Sequence, residues 1–172
     1  MAMERPKGTT FQGNPLTLIG PALKAGDKAP AFTARTLDLK PFTLDDTKGK
    51  IRLLSAVPSL DTPVCDMETR RFNAEAAKLG DKVEIVTISV DLPFAQKRWC
   101  GAAGIDKIKV VSDYYDRSFS KAFGTLIKEL HLSSRAIFVV DDKDTIRYVE
   151  YVPEIASHPD YDRALAAVKA LL

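Results

Sequence analysis

The feature that most constrains the fold is an alternation of short apolar runs with segments of helical periodicity, which begins at residue 51. The runs are rich in Val and Ile, whose branched side chains favour strands, and each is short enough to be one strand buried on both faces. Such strands are typical of parallel sheets covered by helices. The predicted strands are 51–57, 83–90, 108–111 and 136–140, and the helices between them are 63–79, 93–100 and a short one near 119–123.

Both ends of the chain depart from this alternation. The turn residues Gly13-Asn14-Pro15 lie between two extended stretches and predict a hairpin, and short pieces around Phe32 and 42–44 predict irregular or edge strands. Near the other end, a polar turn at 141–144 predicts that strand 145–152 runs antiparallel to its predecessor, before a closing helix at 161–172. We therefore expect one mixed α/β domain over residues 1–172, with a central sheet flanked by helices.

Charge and cysteine content argue against several classes of protein. Lys and Arg number 25 against 23 Asp and Glu, so the chain has no strong positive field for nucleic acid or anionic lipid. Residues 1–8 are charged and lack the apolar core of a signal peptide, and no stretch approaches the roughly 18 apolar residues of a spanning helix. Two cysteines are too few for the disulfide framework of a small secreted protein. We expect a soluble cytoplasmic protein with no nucleic-acid or membrane partner.

Cys65 is the first candidate for chemistry. Thr62 is a favourable N-cap and Pro63 a favourable first helical residue, so Cys65 falls in the first turn of the predicted helix. The helix dipole and free amide groups favour an anion there, and the thiolate is the reactive form of cysteine. The alternative of equal weight is that Cys65 is a small buried apolar residue, as free cysteines often are. The Thr62 hydroxyl can cap the helix, reach the sulfur, or do both.

Cys100 and Arg135 are less informative when each is considered alone. Cys100 falls in the last turn of a short predicted helix, after Trp99 and before Gly101, where inert packing is the more common role. Arg135 directly precedes a predicted strand, and an arginine there is usually exposed to solvent. It would act in chemistry only if the fold placed its guanidinium group against the Cys65 sulfur.

Three segments together resemble a known family: residues 58–65 (Pro-Ser-Leu-Asp-Thr-Pro-Val-Cys), 89–96 (Ser-Val-Asp-Leu-Pro-Phe-Ala-Gln) and 99–101 (Trp-Cys-Gly). They resemble the bacterial thiol peroxidases, a branch of the atypical two-cysteine peroxiredoxins. The pattern P-x-x-x-T-x-x-C is specific to peroxiredoxins, and Asp-Leu-Pro-Phe-Ala-Gln followed four residues later by cysteine narrows the match to this branch. The likeness covers nearly the whole chain, with one departure: residues 125–134 are shorter and less rich in glycine than the family stretch.

The resemblance implies a fold and a set of roles. The fold is thioredoxin-like with an N-terminal β-hairpin, and the activity is reduction of organic hydroperoxides and hydrogen peroxide without a cofactor. Cys65 would be the peroxidatic cysteine and Cys100 the resolving one, joined transiently in an intramolecular disulfide. Thr62 and Arg135 would complete the active site, and Pro58 would shield the thiolate. Thioredoxin would be the reductant, and the protein would be a homodimer.

Formation of that disulfide would require movement. Two Cα atoms joined by a disulfide lie within about 7 Å, whereas the two cysteines fall in the first turn of one predicted helix and the last turn of another. Residues 101–104 (Gly-Ala-Ala-Gly) are the predicted flexible point. Four apolar residues close in sequence to the cysteines would suit a hydrocarbon tail on the peroxide, with core packing as the alternative role: Leu60, Val64, Phe94 and Trp99.

Other functions fit the sequence less well. A thioredoxin-like disulfide oxidoreductase would ordinarily need Cys-x-x-Cys, which is absent. A non-catalytic interaction module with inert cysteines stays open on the residues alone. A zinc site built from Cys65, Cys100, His131 and His158 lacks ligand-like spacing. No glycine-rich loop follows a predicted strand, so a dinucleotide cofactor is not expected.

Overall fold

The computed structural model describes residues 2–172, which form two sheets and four α-helices. The strands are β1 (Glu4–Phe11), β2 (Asn14–Ile19), β3 (Thr33–Arg35), β4 (Pro41–Thr43), β5 (Ile51–Ala56), β6 (Val83–Ser89), β7 (Lys109–Ser112), β8 (Leu126–Ile127), β9 (Ala136–Val140) and β10 (Ile146–Tyr151). The helices are α1 (Pro63–Leu79), α2 (Pro93–Ala103), α3 (Ser118–Ala122) and α4 (Tyr161–Lys169), with a short 3-10 helix at Leu44–Thr47.

The central sheet has seven strands in the order β10-β9-β5-β6-β7-β3-β4. The neighbours β5, β6 and β7 are parallel, as predicted, and β10 runs antiparallel to β9, also as predicted. The expectation that β9 would be parallel was wrong, because β9 pairs antiparallel with β5. Every residue of β9 is buried, so its apolar run marks a central strand but carries no information about its direction.

Helices cover both faces of this sheet. The crossovers from β5 to β6 and from β6 to β7 step in the same direction, and the right-handed rule therefore places α1 and α2 on one face. On that face Leu53 packs in a cluster with Phe72 of α1 and Leu165 of α4. On the opposite face Leu54 packs in a cluster with Phe119 of α3. The starts of α1 and α2 are thereby held near the carboxyl ends of the parallel strands.

Local signals set the helix ends with varying success. Helix α1 begins at Pro63 and ends before Gly80, as predicted. Helix α2 continues three residues past the predicted end at Cys100, and Gly104 in the left-handed conformation closes it. The predicted flexible point at 101–104 is therefore the last helical turn and its cap, because one glycine costs a helix only about 1 kcal/mol and two alanines follow it. Within residues 2–172, no helix combines the length and apolar character needed to cross a membrane.

The N-terminal hairpin is confirmed, and it forms a small sheet with the unpredicted strand β8. Arg5 fastens this sheet to the rest of the molecule, since its Nε donates to the Gly20 carbonyl oxygen at 3.0 Å and its Nη2 donates to that of Gly124. Gly124 has φ of +68°, and a Cβ atom there would overlap the Pro21 carbonyl oxygen. Close backbone contact between the end of β2 and the end of α3 therefore depends on glycine.

We predict that Gly124→Ala lowers the free energy of unfolding by about 2–5 kcal/mol, because left-handed strain and overlap with the Pro21 carbonyl add together. Urea unfolding followed by circular dichroism measures the loss. Gly13→Ala is the matched control, since Gly13 also has positive φ (+79°) but its added Cβ would meet no atom within 4 Å. The control should lose only about 1–2 kcal/mol. Equal losses in the two variants would contradict the packing argument.

Candidate active site

Cys65 and Arg135 meet where three elements converge. Ala56 at the end of β5 pairs with Ala136 at the start of β9, so Arg135 lies beside the carboxyl end of β5, from which the chain enters α1. Cys65 is in the first turn of α1, and its side chain is fully buried. Nη2 of Arg135 donates to Cys65 Sγ at 3.2 Å. The antiparallel direction of β9, which the sequence did not reveal, is what brings this arginine to the sulfur.

Glu68 is a buried partner of Arg135 that sequence reasoning missed. It lies three residues after Cys65 and therefore on the same face of α1. Its Oε2 accepts from Nη1 of Arg135 at 2.6 Å, and its Oε1 accepts from the Ser55 hydroxyl at 2.8 Å. Arg135 also donates to the Ile155 carbonyl oxygen from Nε (3.0 Å) and Nη2 (2.8 Å). Three hydrogen bonds to two partners, Glu68 and Ile155, thus hold the guanidinium group, and its fourth is directed at the Cys65 sulfur.

Burial and charge act in opposite directions on this pair. Burial raises the pKa of Glu68, and the charge of Arg135 opposes that rise. Burial acts to lower the pKa of Arg135, but the Glu68 carboxylate and the Cys65 sulfur outweigh it and raise that pKa overall. The raised pKa of Glu68 favours its neutral form, whereas the raised pKa of Arg135 requires a Glu68 carboxylate beside it. The geometry supports the ionised form of Glu68, because both of its oxygens accept short hydrogen bonds. Arg135 is therefore a buried cation that can stabilise a thiolate at Cys65.

Thr62 and Pro58 lie in the loop before α1. Thr62 is at the predicted N-cap position with extended backbone, but its hydroxyl does not cap the helix. The hydroxyl instead donates to the Ser59 carbonyl oxygen at 2.8 Å. Both Thr62 and Pro58 line a cavity that Arg135 also borders. The structure therefore brings Pro58, Thr62 and Arg135 to one cavity. Cys65 is buried and does not line it, and the sulfur is connected to the cavity through its hydrogen bond from Arg135.

This cavity has a volume of about 350 Å³ and is mostly apolar. Of the four apolar residues that the sequence suggested for a hydrocarbon tail, only Val64 lines it. Leu60 and Trp99 pack in the core cluster around the cysteines, and the Phe94 side chain is 69% exposed. The remaining apolar lining comes from distant parts of the chain: Phe11, Leu130, Leu132, Ile155 and Ala156. A larger cavity of about 680 Å³ lies between the hairpin and α3 and is lined by neither cysteine nor Arg135.

Asp91, the first residue of the Asp-Leu-Pro-Phe-Ala-Gln segment, has a structural role beside the site. Its carboxylate accepts from the Ser59 hydroxyl (2.7 Å), the Leu60 amide (2.8 Å) and the Ser89 hydroxyl (2.6 Å). Gln96 donates to the Ser89 hydroxyl oxygen at 3.0 Å from the first turns of α2. Asp91 therefore ties the loop before α1 to the end of β6, which fixes the backbone that carries Pro58 and Thr62. Sequence reasoning used this segment only for its family resemblance.

Cys100 lies in the same apolar cluster as Cys65, together with Val57, Leu60 and Trp99. Both thiols are free, and only 7% of Cys100 is exposed. Burial raises the pKa of Cys100, so this thiol is protonated at neutral pH. The two sulfurs therefore differ in their surroundings. The Cys65 sulfur contacts a buried cation, whereas the Cys100 sulfur lies in an apolar environment.

Comparisons with known proteins agree with this geometry. Residues 24–165 match the Redoxin family. A thiol peroxidase from Halalkalibacterium halodurans is 59% identical over 163 residues, which cover 95% of this chain and 98% of that protein. A thiol peroxidase from Bacillus subtilis is 55% identical, with coverage of 95% and 97%. Among solved structures, a peroxiredoxin-like protein from Aquifex aeolicus covers 99% of both chains with a TM-score of 0.90 and 38% identity.

The chain therefore belongs to the Redoxin family. Within that family it groups with the thiol peroxidases, since relatives of that name share more than half of its residues over nearly their full length. The thioredoxin-like fold class, with a mixed central sheet flanked by helices, is confirmed.

We predict that Glu68→Leu lowers the free energy of unfolding by about 3–5 kcal/mol, because it leaves the Arg135 cation buried without its carboxylate. Glu68→Gln keeps an acceptor oxygen for Arg135 and should lose less. Glu75→Gln, which removes a surface ion pair with Lys78 on the same helix, is the control and should change stability by at most about 1 kcal/mol. Urea titration of the three variants tests the ranking, and a Glu68→Leu protein as stable as the control would refute it.

Proposed function

We propose that this chain is a thiol peroxidase in which Cys65 reduces hydroperoxides. The observation that carries the proposal is the 3.2 Å hydrogen bond from buried, cationic Arg135 to the Cys65 sulfur beside an apolar cavity. A cysteine that only packs in a core has no need of a buried charge, which is costly to desolvate. This contact therefore favours catalysis over an inert interaction module.

The first chemical step forms a sulfur–oxygen bond. The Cys65 thiolate attacks the terminal oxygen of the peroxide, the O–O bond breaks, and the leaving oxygen takes a proton to become an alcohol or water. Arg135 stabilises negative charge as it moves from sulfur to the oxygens, and it can do so without reorganisation because Glu68 and Ile155 already hold it. The Thr62 hydroxyl contributes at the same cavity, and Pro58 limits the access of water.

The second step restores the thiol. The Cys100 thiol condenses with the Cys65 sulfenic acid, so that a disulfide forms and water leaves. A thioredoxin-type reductant then reduces the disulfide. The family resemblance supports thioredoxin itself in this role. Such turnover needs a compartment that keeps thiols reduced, which supports a cytoplasmic location. The family resemblance also supports a homodimer.

The proposed preferred substrate is an organic hydroperoxide. The cavity beside Arg135 has apolar walls from the hairpin, from the segment before β9 and from the segment after β10. Such walls gain free energy when they bury a hydrocarbon tail, whereas hydrogen peroxide offers them no apolar surface.

We predict that Cys65→Ser abolishes peroxide-dependent NADPH consumption in an assay coupled through thioredoxin and its reductase. Cys100→Ser should retain a single turnover that ends at the sulfenic acid, because the attacking sulfur is intact while the resolving one is lost. After one equivalent of peroxide, the wild type should be a monomer lighter by two hydrogen atoms in non-reducing mass spectrometry. A Cys65→Ser protein with normal turnover, or an exclusively intermolecular Cys65 disulfide in the wild type, would refute the scheme.

We predict that Leu130→Asn lowers kcat/KM for cumene hydroperoxide by about threefold to tenfold and leaves the value for hydrogen peroxide nearly unchanged, because it removes one apolar contact from the cavity. Leu130 is 41% exposed, so the substitution spares the core. Leu39→Asn is the matched control, since Leu39 is 43% exposed and lies outside the cavity. Equal effects on both peroxides would indicate that this wall does not select the substrate.

A further inference from the structure

Three side chains connect the two helices that carry the cysteines. The indole Nε1 of Trp99 donates to Asp66 Oδ1 at 2.9 Å, and Nε of Arg70 donates to Asp66 Oδ2 at 3.0 Å. The Arg70 guanidinium lies 5.7 Å from the centre of the Trp99 ring, within range of a cation–π interaction. We refer to Asp66, Arg70 and Trp99 as the latch. Asp66 directly follows Cys65 and Trp99 directly precedes Cys100, so the latch joins the immediate neighbours of the two sulfurs.

Helix geometry opposes a disulfide while the latch is closed. Adjacent residues on an α-helix project about 100° apart, so while Asp66 and Trp99 face each other, the cysteines beside them project in other directions. Cys65 Sγ accepts from Arg135, and the Cys100 carbonyl oxygen still accepts from the amides of Gly104 and Ile105 in an intact helix end. A disulfide needs Cβ atoms directed at each other about 4 Å apart. Both sulfurs lie in one apolar cluster, yet both thiols are free and both helices are intact. We expect one helix to turn or unwind before the sulfurs pair, and we expect this movement to separate Asp66 from Trp99.

The latch runs from the surface to the edge of the cysteine cluster, since Asp66 and Arg70 are partly exposed and Trp99 is only 8% exposed. It can therefore open from its polar, outer side first. The side chains of Asp66 and Arg70 are 32% and 50% exposed, whereas Cys65 is fully buried and Cys100 nearly so. Water can replace the hydrogen bonds of the outer polar groups when they separate, and the apolar cluster around the cysteines can then open. The burial that raises the pKa of Cys100 is relieved by the same opening.

We propose that Asp66, Trp99 and Arg70 are positioning residues for the resolving step, and that opening of the latch sets the rate of disulfide formation. This proposal rests on the proposed function. In the closed state Cys65 meets peroxide and becomes a sulfenic acid. In the open state the Cys100 sulfur attacks it, the S–O bond breaks, the S–S bond forms, and water leaves with the thiol proton. A sulfenic acid that waits in the closed state can instead react with a second peroxide, giving a sulfinic acid and an alcohol.

The test separates the two steps by rapid quenching and mass spectrometry. Trp99→Phe removes the indole donor and part of the ring volume but keeps an aromatic ring. Asp66→Ala breaks the same hydrogen bond from the other side and leaves the Trp99 ring in place. Each should accelerate disulfide formation about tenfold, which corresponds to about 1.4 kcal/mol and matches one hydrogen bond to a charged group. Sulfenic acid formation should change less than about twofold, since the Cys65–Arg135 contact is untouched. The sulfinic fraction at high peroxide should fall.

The variants also test whether the residues act as one unit. The double variant should be no faster than either single one, because both remove the same bond. Asp66→Asn keeps an acceptor for Trp99 and should lie closer to the wild type. Glu75→Gln, a charge lost from α1 away from α2, is the matched control and should leave both steps unchanged. Trp99 is the only tryptophan, so wild-type fluorescence should change with disulfide formation and not with sulfenic acid formation.

Each failure has a separate meaning. Unchanged or slower disulfide formation in both single variants, or additive effects in the double variant, would overturn the latch while leaving the peroxidase intact. A wild type that consumes peroxide without forming any Cys65–Cys100 disulfide would instead overturn the proposed function on which the latch rests.

Discussion

The site around Cys65 depends on one buried cation. The guanidinium group of Arg135 is removed from water, and its desolvation is offset only because Glu68, the Ile155 carbonyl oxygen and the Cys65 sulfur all accept from it. These acceptors come from α1 and from the segment after β10, so none of them is near Arg135 in sequence. The sheet order brings them together, since β9 begins beside the end of β5. The fold and the charged site therefore stabilise each other, and neither is complete alone.

The apolar surroundings strengthen this arrangement. Charges interact more strongly where water is excluded, and donors already held in place need no reorganisation when charge moves. The hairpin contributes by bringing Phe11 to the cavity, although its strands lie outside the central sheet. The hairpin is held there by backbone hydrogen bonds between Thr10 and the segment after β10, and by the close glycine contact at Gly124. Structure remote from the sulfur thus determines what surrounds it.

Local and non-local features differed in how well the sequence predicted them. Both ends of helix α1 were predicted because Pro63 and Gly80 are local signals that start and stop a helix regardless of the rest of the fold. The direction of β9 could not be predicted, since a strand buried on both faces shows the same apolar run either way. Glu68 was missed because a glutamate in a helix ordinarily faces solvent, and only its spacing from Cys65 and Phe72 hinted at the buried face. The residues that line the cavity required the tertiary fold.

Burial creates a conflict that the molecule must resolve by movement. The same apolar packing that makes the Arg135 charge effective encloses Cys65 and Cys100 as free thiols in two regular helices, whereas a disulfide would need their Cβ atoms directed at each other. A rigid site would suit the reaction with peroxide but would block recovery of the thiol. Local opening starts where stability is lowest, which is at partly exposed polar contacts rather than in the core. The contact between Asp66 and Trp99 meets that description and lies one residue from each sulfur. Its strength is thus the variable by which such a chain can balance fast peroxide reduction against resistance to overoxidation.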